Sequence, residues 1–314
     1  MAAVDAAPGV FILIPTHTTR HLAACLASLA HQTRPPRGVV VTCDTDDASI
    51  GALLDEWWPR VCGRLGSVPL WHTFRPHQGR PQLNQVRNNG LRALRDRAGI
   101  RGSDCVLVLD GDTMLAPDAV ENHAVLRAGG AELVIPYRYM LDEATTRTID
   151  AGEILAGGVP EARLTTPDMV AQIEARDRRY RKNLFLSRWG LTKGHKPKLV
   201  GGHHAAAFAR LVEINGFDEE YVGYRFNDDD LCRRLRALRP RVQIAIAVKA
   251  IAAYHLWHPI RAPERLQDAP GFARWSRKDL PVRCVRGIDN PLEQPVPSVR
   301  EVGLVHAASL LTRT

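Results

Sequence analysis

The chain has 314 residues, an ordinary apolar share of 45%, and a net charge of +8 from 42 Lys and Arg against 34 Asp and Glu. That length suits one large α/β domain or two modest ones, either with a substantial core. No apolar run exceeds strand length, which excludes a membrane-spanning helix. Cys25, Cys43, Cys62, Cys105, Cys232 and Cys284 are too scattered for a disulfide framework or a Cys-x-x-Cys metal site, and they read as reduced, mostly buried thiols. Met1 to Gly9 has neither the basic start nor the apolar core of a secretory signal, so a cytoplasmic location is expected. The excess charge calls for an anionic partner, with nucleotide diphosphates, acidic glycans, nucleic acid and phospholipid surfaces all qualifying, or for a merely solvated basic surface.

In chain order, Val10 to Ile14 predicts a strand, and Arg20 to Ala30 a helix with Leu22, Cys25, Leu26 and Leu29 on one face. Val39 to Val41 predicts a second strand and Leu53 to Trp58 a helical stretch. Leu70 to Phe74 is the third strand, Asn84 to Arg97 a helix with Val86, Leu91 and Leu94 inward, and Cys105 to Leu109 the fourth strand. Strand then helix, repeated, is the pattern of a mostly parallel sheet covered on both faces, which binds ligands at the carboxyl ends of its strands. Pro15-Thr16, the cluster Asp44, Asp46 and Asp47, and Asp110-Gly111-Asp112 all follow apolar runs, where that rule places functional residues.

From 145 to 198 periodic apolar positions are few and basic residues crowd, so this stretch is expected to be an insertion or mobile loop. A strand is predicted at Ile244 to Ala250, leading into Tyr254-His255-Leu256-Trp257-His258-Pro259. Prolines and charges then thicken, which predicts a tail over 261–314 wrapped on a body of 1–260.

A chain of this composition holds about one Asp-x-Asp by chance, but Asp110 and Asp112 emerge from an apolar strand at the ligand edge. Two hard carboxylates there suit Mg²⁺ or Mn²⁺, and Gly111 lets backbone or phosphate come close. The acidic run Asp228-Asp229-Asp230 opens a helix; one carboxylate could serve as a general base, while Asp230 could equally be a cap or a partner of Arg233 or Arg234. His255, with His258 three residues on, lacks the His-Glu-x-x-His pattern of zinc proteases. Trp257 and Tyr224 could stack on sugar faces or be core aromatics.

Taken in this order, the motifs resemble the inverting family-two glycosyltransferases of the GT-A fold. The likeness is greatest to the branch whose C-terminal half is similar to the galactosyltransferase domain of chondroitin-polymerising enzymes. It runs from Phe11 to Pro259 and rests on several segments. Early in the chain these are Ile14-Pro15-Thr16 with the following helix, Arg87-Asn88-Asn89-Gly90 and Leu109-Asp110-Gly111-Asp112-Thr113. Later ones are Gly201-Gly202, Gly216-Phe217-Asp218-Glu219 and Tyr254-His255. The resemblance implies a GT-A domain with a nucleotide-sugar half over about 1–140 and an acceptor and base half over 199–260. It implies a UDP-sugar donor, Mn²⁺ or Mg²⁺ held by Asp112 and His255, and Asp110 near the ribose or metal. Pro15, Thr16, Asp44, Arg80 and Gly111 would hold the nucleotide. Asp228 inherits the base, and Gly202, His203, Tyr224, Arg225 and Asn227 fall on the acceptor side. Two positions depart from the pattern: Asn227 stands for the expected Glu, and Arg225 where the family commonly has Gly. The acceptor would be a glycan, a glycolipid or a small molecule, with peripheral membrane contact allowed and nucleic acid not expected.

Two rival readings keep the α/β fold. A sugar-phosphate nucleotidyltransferase would want a Gly-rich basic loop after the first strand, where the sequence has Pro15-Thr16-His17-Thr18-Thr19. A non-catalytic sugar-nucleotide binder would fit the change at Asn227 but not the intact metal and base candidates.

Overall fold

The computed structural model describes residues 7–193, 195–223, 225–259 and 265–303. Its first half alternates as the sequence predicts: β1 (Val10–Pro15), α1 (Leu22–Leu29), β2 (Gly38–Asp44), α2 (Ser49–Leu65), β3 (Leu70–Arg75), α3 (Leu83–Asp96) and β4 (Cys105–Leu109). Then follow β5 (Thr113–Leu115), α4 (Ala119–Ala128), β6 (Leu133–Ile135), β7 (Tyr139–Met140), α5 (Glu143–Arg147), α6 (Ala151–Gly157), α7 (Glu161–Leu164) and α8 (Pro167–Ser187). The remainder holds β8 (His203–Ala207), α9 (Phe208–Glu213), α10 (Asn227–Ala237), β9 (Ile244–Ile246), β10 (Ala253–His255), α11 (Phe272–Trp275) and β11 (Ser298–Glu301).

The main sheet runs β11-β3-β2-β1-β4-β8-β6-β9. Its centre, β3-β2-β1-β4, is parallel, while β8 pairs antiparallel with both β4 and β6, and β11 antiparallel with β3. Buried on both faces, the central strands alternate between two cores: Ile12 and Ile14 join α1, α2 and α4 on one side, Phe11 and Leu13 join α3, α9 and α10 on the other. A small second sheet, β5-β10-β7, lies beyond the carboxyl end of β4 and sets His255 opposite Thr113. This is the mixed α/β sheet with helices on both faces that the sequence implies.

Two stretches differ from the sequence reading. The segment expected as a loop carries α6, α7 and α8, and the predicted strand at 244–250 stops at Ile246. Asp150 and Thr166 cap α6 and α8 by accepting from Glu153 and Met169 backbone N–H groups, and Pro167 sits in the first turn of α8. The buried positions of α8 are Ile173, Asp177 and Tyr180, at helical spacing but with a carboxylate in the stripe, which erases the apolar period. The tail returns to the body: Leu292 N donates to Glu219 at 2.8 Å, Gln294 bonds Asn89, and β11 closes one edge of the sheet.

Candidate active site

The site is assembled where β4 ends. Asp110-Gly111-Asp112 turns tightly from β4 into β5, with Thr113 N donating to Asp110 O at 3.0 Å. A Cβ on Gly111 would lie 3.0 Å from Thr16 Oγ1, so the turn packs closely on the end of β1 and a larger residue would push Thr16 aside. β10 pairs with β5, and Leu256 N donates to Asp112 O at 2.9 Å, which fixes the approach of the histidines. His255 Nε2 lies 3.5 Å and His258 Nε2 3.1 Å from Asp112 Oδ2. The three side chains offer ligand atoms within 4.8 Å of one another. His258 belongs with Asp112 and His255 in this group, although its spacing alone gave no such role.

Two arginines join this group to the helix bearing Asp228. Arg138 Nη1 lies 3.6 Å from Asp110 Oδ2 and 3.9 Å from Asp112 Oδ1, and it donates to Thr113 Oγ1 at 3.2 Å. Arg87, on α3 and almost wholly buried, donates to Asp228 Oδ1 at 3.0 Å and to Gly201 O at 3.2 Å, with Asp110 Oδ1 at 3.9 Å. Gly201 and Gly202 make this convergence possible. A Cβ at Gly201 would collide with the Asp228 carboxylate, and one at Gly202 with Arg138 and the Asp110 carboxylate.

The Arg-Asn-x-Gly motif thereby resolves into three tasks. Arg87 holds Asp228. Asn88 grips Phe217 through both backbone groups and donates to Glu219 at 2.9 Å. Gly90 lets α3 close on β1, since a Cβ there would run into Leu13.

Residues 184–258 match the family model described as the N-terminal domain of galactosyltransferase. The match lies within the C-terminal half of the chain, where the motifs resemble such a domain, and spans 75 of the 314 residues. Among solved structures, the 1–349 fragment of S. aureus TarS is 15% identical with a TM-score of 0.50, covering 79% of this chain and 60% of that one. The mannosyltransferase PcManGT from Pyrobaculum calidifontis, solved with GDP-Man and Mn²⁺, is 14% identical with a TM-score of 0.46, over 85% and 59% of the two chains. GalNAc-T7, solved with UDP, GalNAc and Mn²⁺, is 13% identical at 0.49, over 81% and 45%. The chain thus spans 60% or less of each of these proteins. No curated protein sequence matches it. The fold is that of the GT-A glycosyltransferases.

Within this GT-A domain the two carboxylates of the turn are driven apart electrostatically. Burial, and then the like charge of Asp112, push Asp110 upward, even though a third of its side chain reaches solvent. Burial acts on Asp112 in the same sense, but the hydrogen bond and charge of His255, with Arg138 and His258, outweigh it and hold Asp112 well below the usual carboxylate range. Asp112 is therefore the more acidic member of the pair.

The remaining sequence candidates divide. Pro15 pairs with Thr42 in the sheet and Thr16 packs on Gly111, so both border the turn. Asp44 ends β2 with Arg75 Nη2 at 3.6 Å and His77 Nδ1 at 3.8 Å as its ion-pair partners. Arg80 is exposed on the loop after β3, and Arg75, unremarked in the sequence because it closes an apolar strand, takes the place beside Asp44. Asn227 is buried at the start of α10 and donates to Gly223 O at 3.2 Å, while its Oδ1 has no hydrogen-bond partner among the described residues. Arg225 is exposed at φ 77, followed by Phe226 at φ 63. Tyr224 lies outside the described residues. Asp230 is the buried partner of both Arg233 and Arg234 at 2.6 and 2.7 Å, which removes it from contention as a base.

His203, expected on the acceptor side, sits fully buried in β8 with Nδ1 3.4 Å from Tyr137 O and Nε2 3.5 Å from His123 Nε2. Strand alternation turns its ring toward His123 on α4.

Proposed function

We propose that this chain is an inverting glycosyltransferase that moves a sugar from a nucleotide diphosphate donor, a UDP-sugar, to a hydroxyl of an acceptor. The observation that carries the reading is the continuous ladder Asp228, Arg87, Asp110, Arg138, Asp112, with His255 and His258 at its far end. It spans, at one sheet edge, the groups needed at both sides of a sugar's anomeric carbon.

Asp112, His255 and His258 fit a divalent cation. One carboxylate with two imidazoles favours Mn²⁺ over Mg²⁺, which prefers an all-oxygen shell. These three residues would hold the cation, which would supply positive charge against the departing diphosphate. Arg138 adds a second positive group beside the same carboxylates. At the other end, Asp228 Oδ takes the acceptor hydroxyl's proton as that oxygen bonds to the anomeric carbon. The bond to the diphosphate oxygen breaks on the opposite face, so configuration inverts. Arg87 keeps the Asp228 carboxylate fixed and aimed. Pro15, Thr16, Asp44, Arg80 and Gly111 form the nucleotide side, with Arg75 beside Asp44. Gly202, Arg225 and Asn227, with the buried His203 and with Tyr224 outside the described residues, are the acceptor-side candidates.

The test is a panel of nucleotide sugars incubated with the protein, Mn²⁺ and mixed acceptors, with product stereochemistry read by NMR. Inverted product that disappears in the Asp228→Asn variant supports the reading; transfer that survives this change contradicts it.

A further inference from the structure

Residues 178–198 contain Arg178, Arg179, Arg181, Lys182, Arg188, Lys193, Lys196 and Lys198 and not one Asp or Glu. The whole net charge of +8 resides in this segment, and the rest of the chain is balanced. The same stretch carries three exposed large apolar side chains within seven residues: Phe185 at 58%, Trp189 at 71% and Leu191 at 69% exposure. They follow the C-terminal turns of α8, whose other face is tied down by Tyr180 against Tyr137 and by Arg176 stacked over Tyr137 at 3.8 Å. The far end is anchored too. Lys198 pairs with Asp229 at 3.6 Å and Cys232 Sγ donates to Pro197 O, both on α10, the helix that begins beside Asp228.

A solvated basic face has no need of an exposed indole, phenyl and isobutyl group in one turn and its continuation. A polyanion in water, such as nucleic acid, would use the arginines and could stack on the aromatics, but it would leave Leu191 without a partner. A bilayer with anionic headgroups uses both components: the ammonium and guanidinium groups meet the lipid phosphates, and Trp, Phe and Leu enter the headgroup boundary. From this we infer that the tip formed by the end of α8 and residues 188–193 docks on an anionic phospholipid surface. Because the tip runs on to Lys198 and the N-terminus of α10, docking would bring the Asp228 end of the site toward the bilayer. That last clause rests on the transferase reading; membrane binding itself does not.

The test is sedimentation of the full chain with vesicles of phosphatidylglycerol and phosphatidylcholine in equal parts, and of phosphatidylcholine alone. The expected result is binding to the mixed vesicles and little to the neutral ones. Neutralising Arg179, Lys182 and Arg188 to Gln should weaken binding about fivefold per residue, the equivalent of ~1 kcal/mol for each basic side chain at an anionic surface. The double change Trp189→Ala and Leu191→Ala removes only exposed groups and should leave the melting temperature unchanged while weakening vesicle binding at least about tenfold. Wild-type protein that stays in the supernatant with mixed vesicles overturns the inference. So does vesicle binding indifferent to Trp189 and Leu191, or an equally tight complex with single-stranded oligonucleotide, since either marks a plain polyanion surface. An Asp112→Asn variant should sediment like wild type, which keeps a failure here separate from a failure of the transferase reading.

Discussion

Arg87 Nη1 lies 3.0 Å from Asp228 Oδ1, and the other arm of the same guanidinium reaches Gly201 O at 3.2 Å. A motif residue on α3 thereby fixes a carboxylate on α10, from more than a hundred residues away, and holds it in one orientation, as the proposed base requires. Arg87→Lys keeps the charge and loses the fork. The expected outcome is a fall in kcat of roughly ten- to a hundredfold with donor KM little changed, since a misaimed base slows the chemical step alone. Steady-state kinetics check it. An unchanged kcat would mean that Arg87 serves only the fold.

His258 extends the proposed metal-ligating set beyond the two residues the family resemblance supplies. His258→Gln should weaken Mn²⁺ binding by about tenfold or more, and His255→Gln comparably, because each removes one of three protein ligands. Calorimetric titration with Mn²⁺ measures this directly. Equal affinities in wild type and His258→Gln would return His258 to a surface role.

Arg225 and Phe226 hold consecutive positive φ angles of 77 and 63 immediately before Asn227. Left-handed backbone costs a non-glycine residue about 1 kcal/mol or more. Arg225→Gly should therefore leave stability unchanged or raise it by up to ~1 kcal/mol, despite the loss of a side chain. Denaturant midpoints test this, and a marked loss of stability would show that the Arg225 side chain holds the loop.

Acid should unfold this protein earlier than its carboxylates alone would require. Burial lowers His72 and His204 to about 4, His123 to about 3, and His203 well below its ordinary 6.5. Below 6.5 the unfolded chain binds protons that these native rings refuse, so their contribution is complete above that pH and drains away as pH falls toward 4. The melting temperature should drop steadily between about pH 7 and pH 5, and His123→Gln should flatten the slope. A flat profile would mean the rings are protonated in the native state.

Much of this was legible in the residues because one physical rule governs it: parallel strands buried on both faces read as apolar runs, and functional groups follow them. β1, β3, α3 and β4 fell where that rule put them, and Asp112 with His255 met as expected at 3.5 Å. What escaped detection shares a cause as well. The period of α8 was hidden by Asp177 in its buried stripe. Arg75 and Arg138 sit at or after short strands, with no motif around them. His203 and His204 are neighbours in sequence but, on opposite faces of β8, have different surroundings, and no pattern in the sequence assigns the face.

The central claim is that a cation at Asp112, His255 and His258 joins the donor to the protein. Its most direct measurement is the thermal shift produced by UDP-sugars with Mn²⁺, with chelator, and in the Asp112→Asn variant. The expected result is stabilisation by at least one donor only with metal and only in the wild type, by about 2.7 kcal/mol at a hundredfold excess over Kd. Equal stabilisation in the presence of chelator, or in Asp112→Asn, would contradict it.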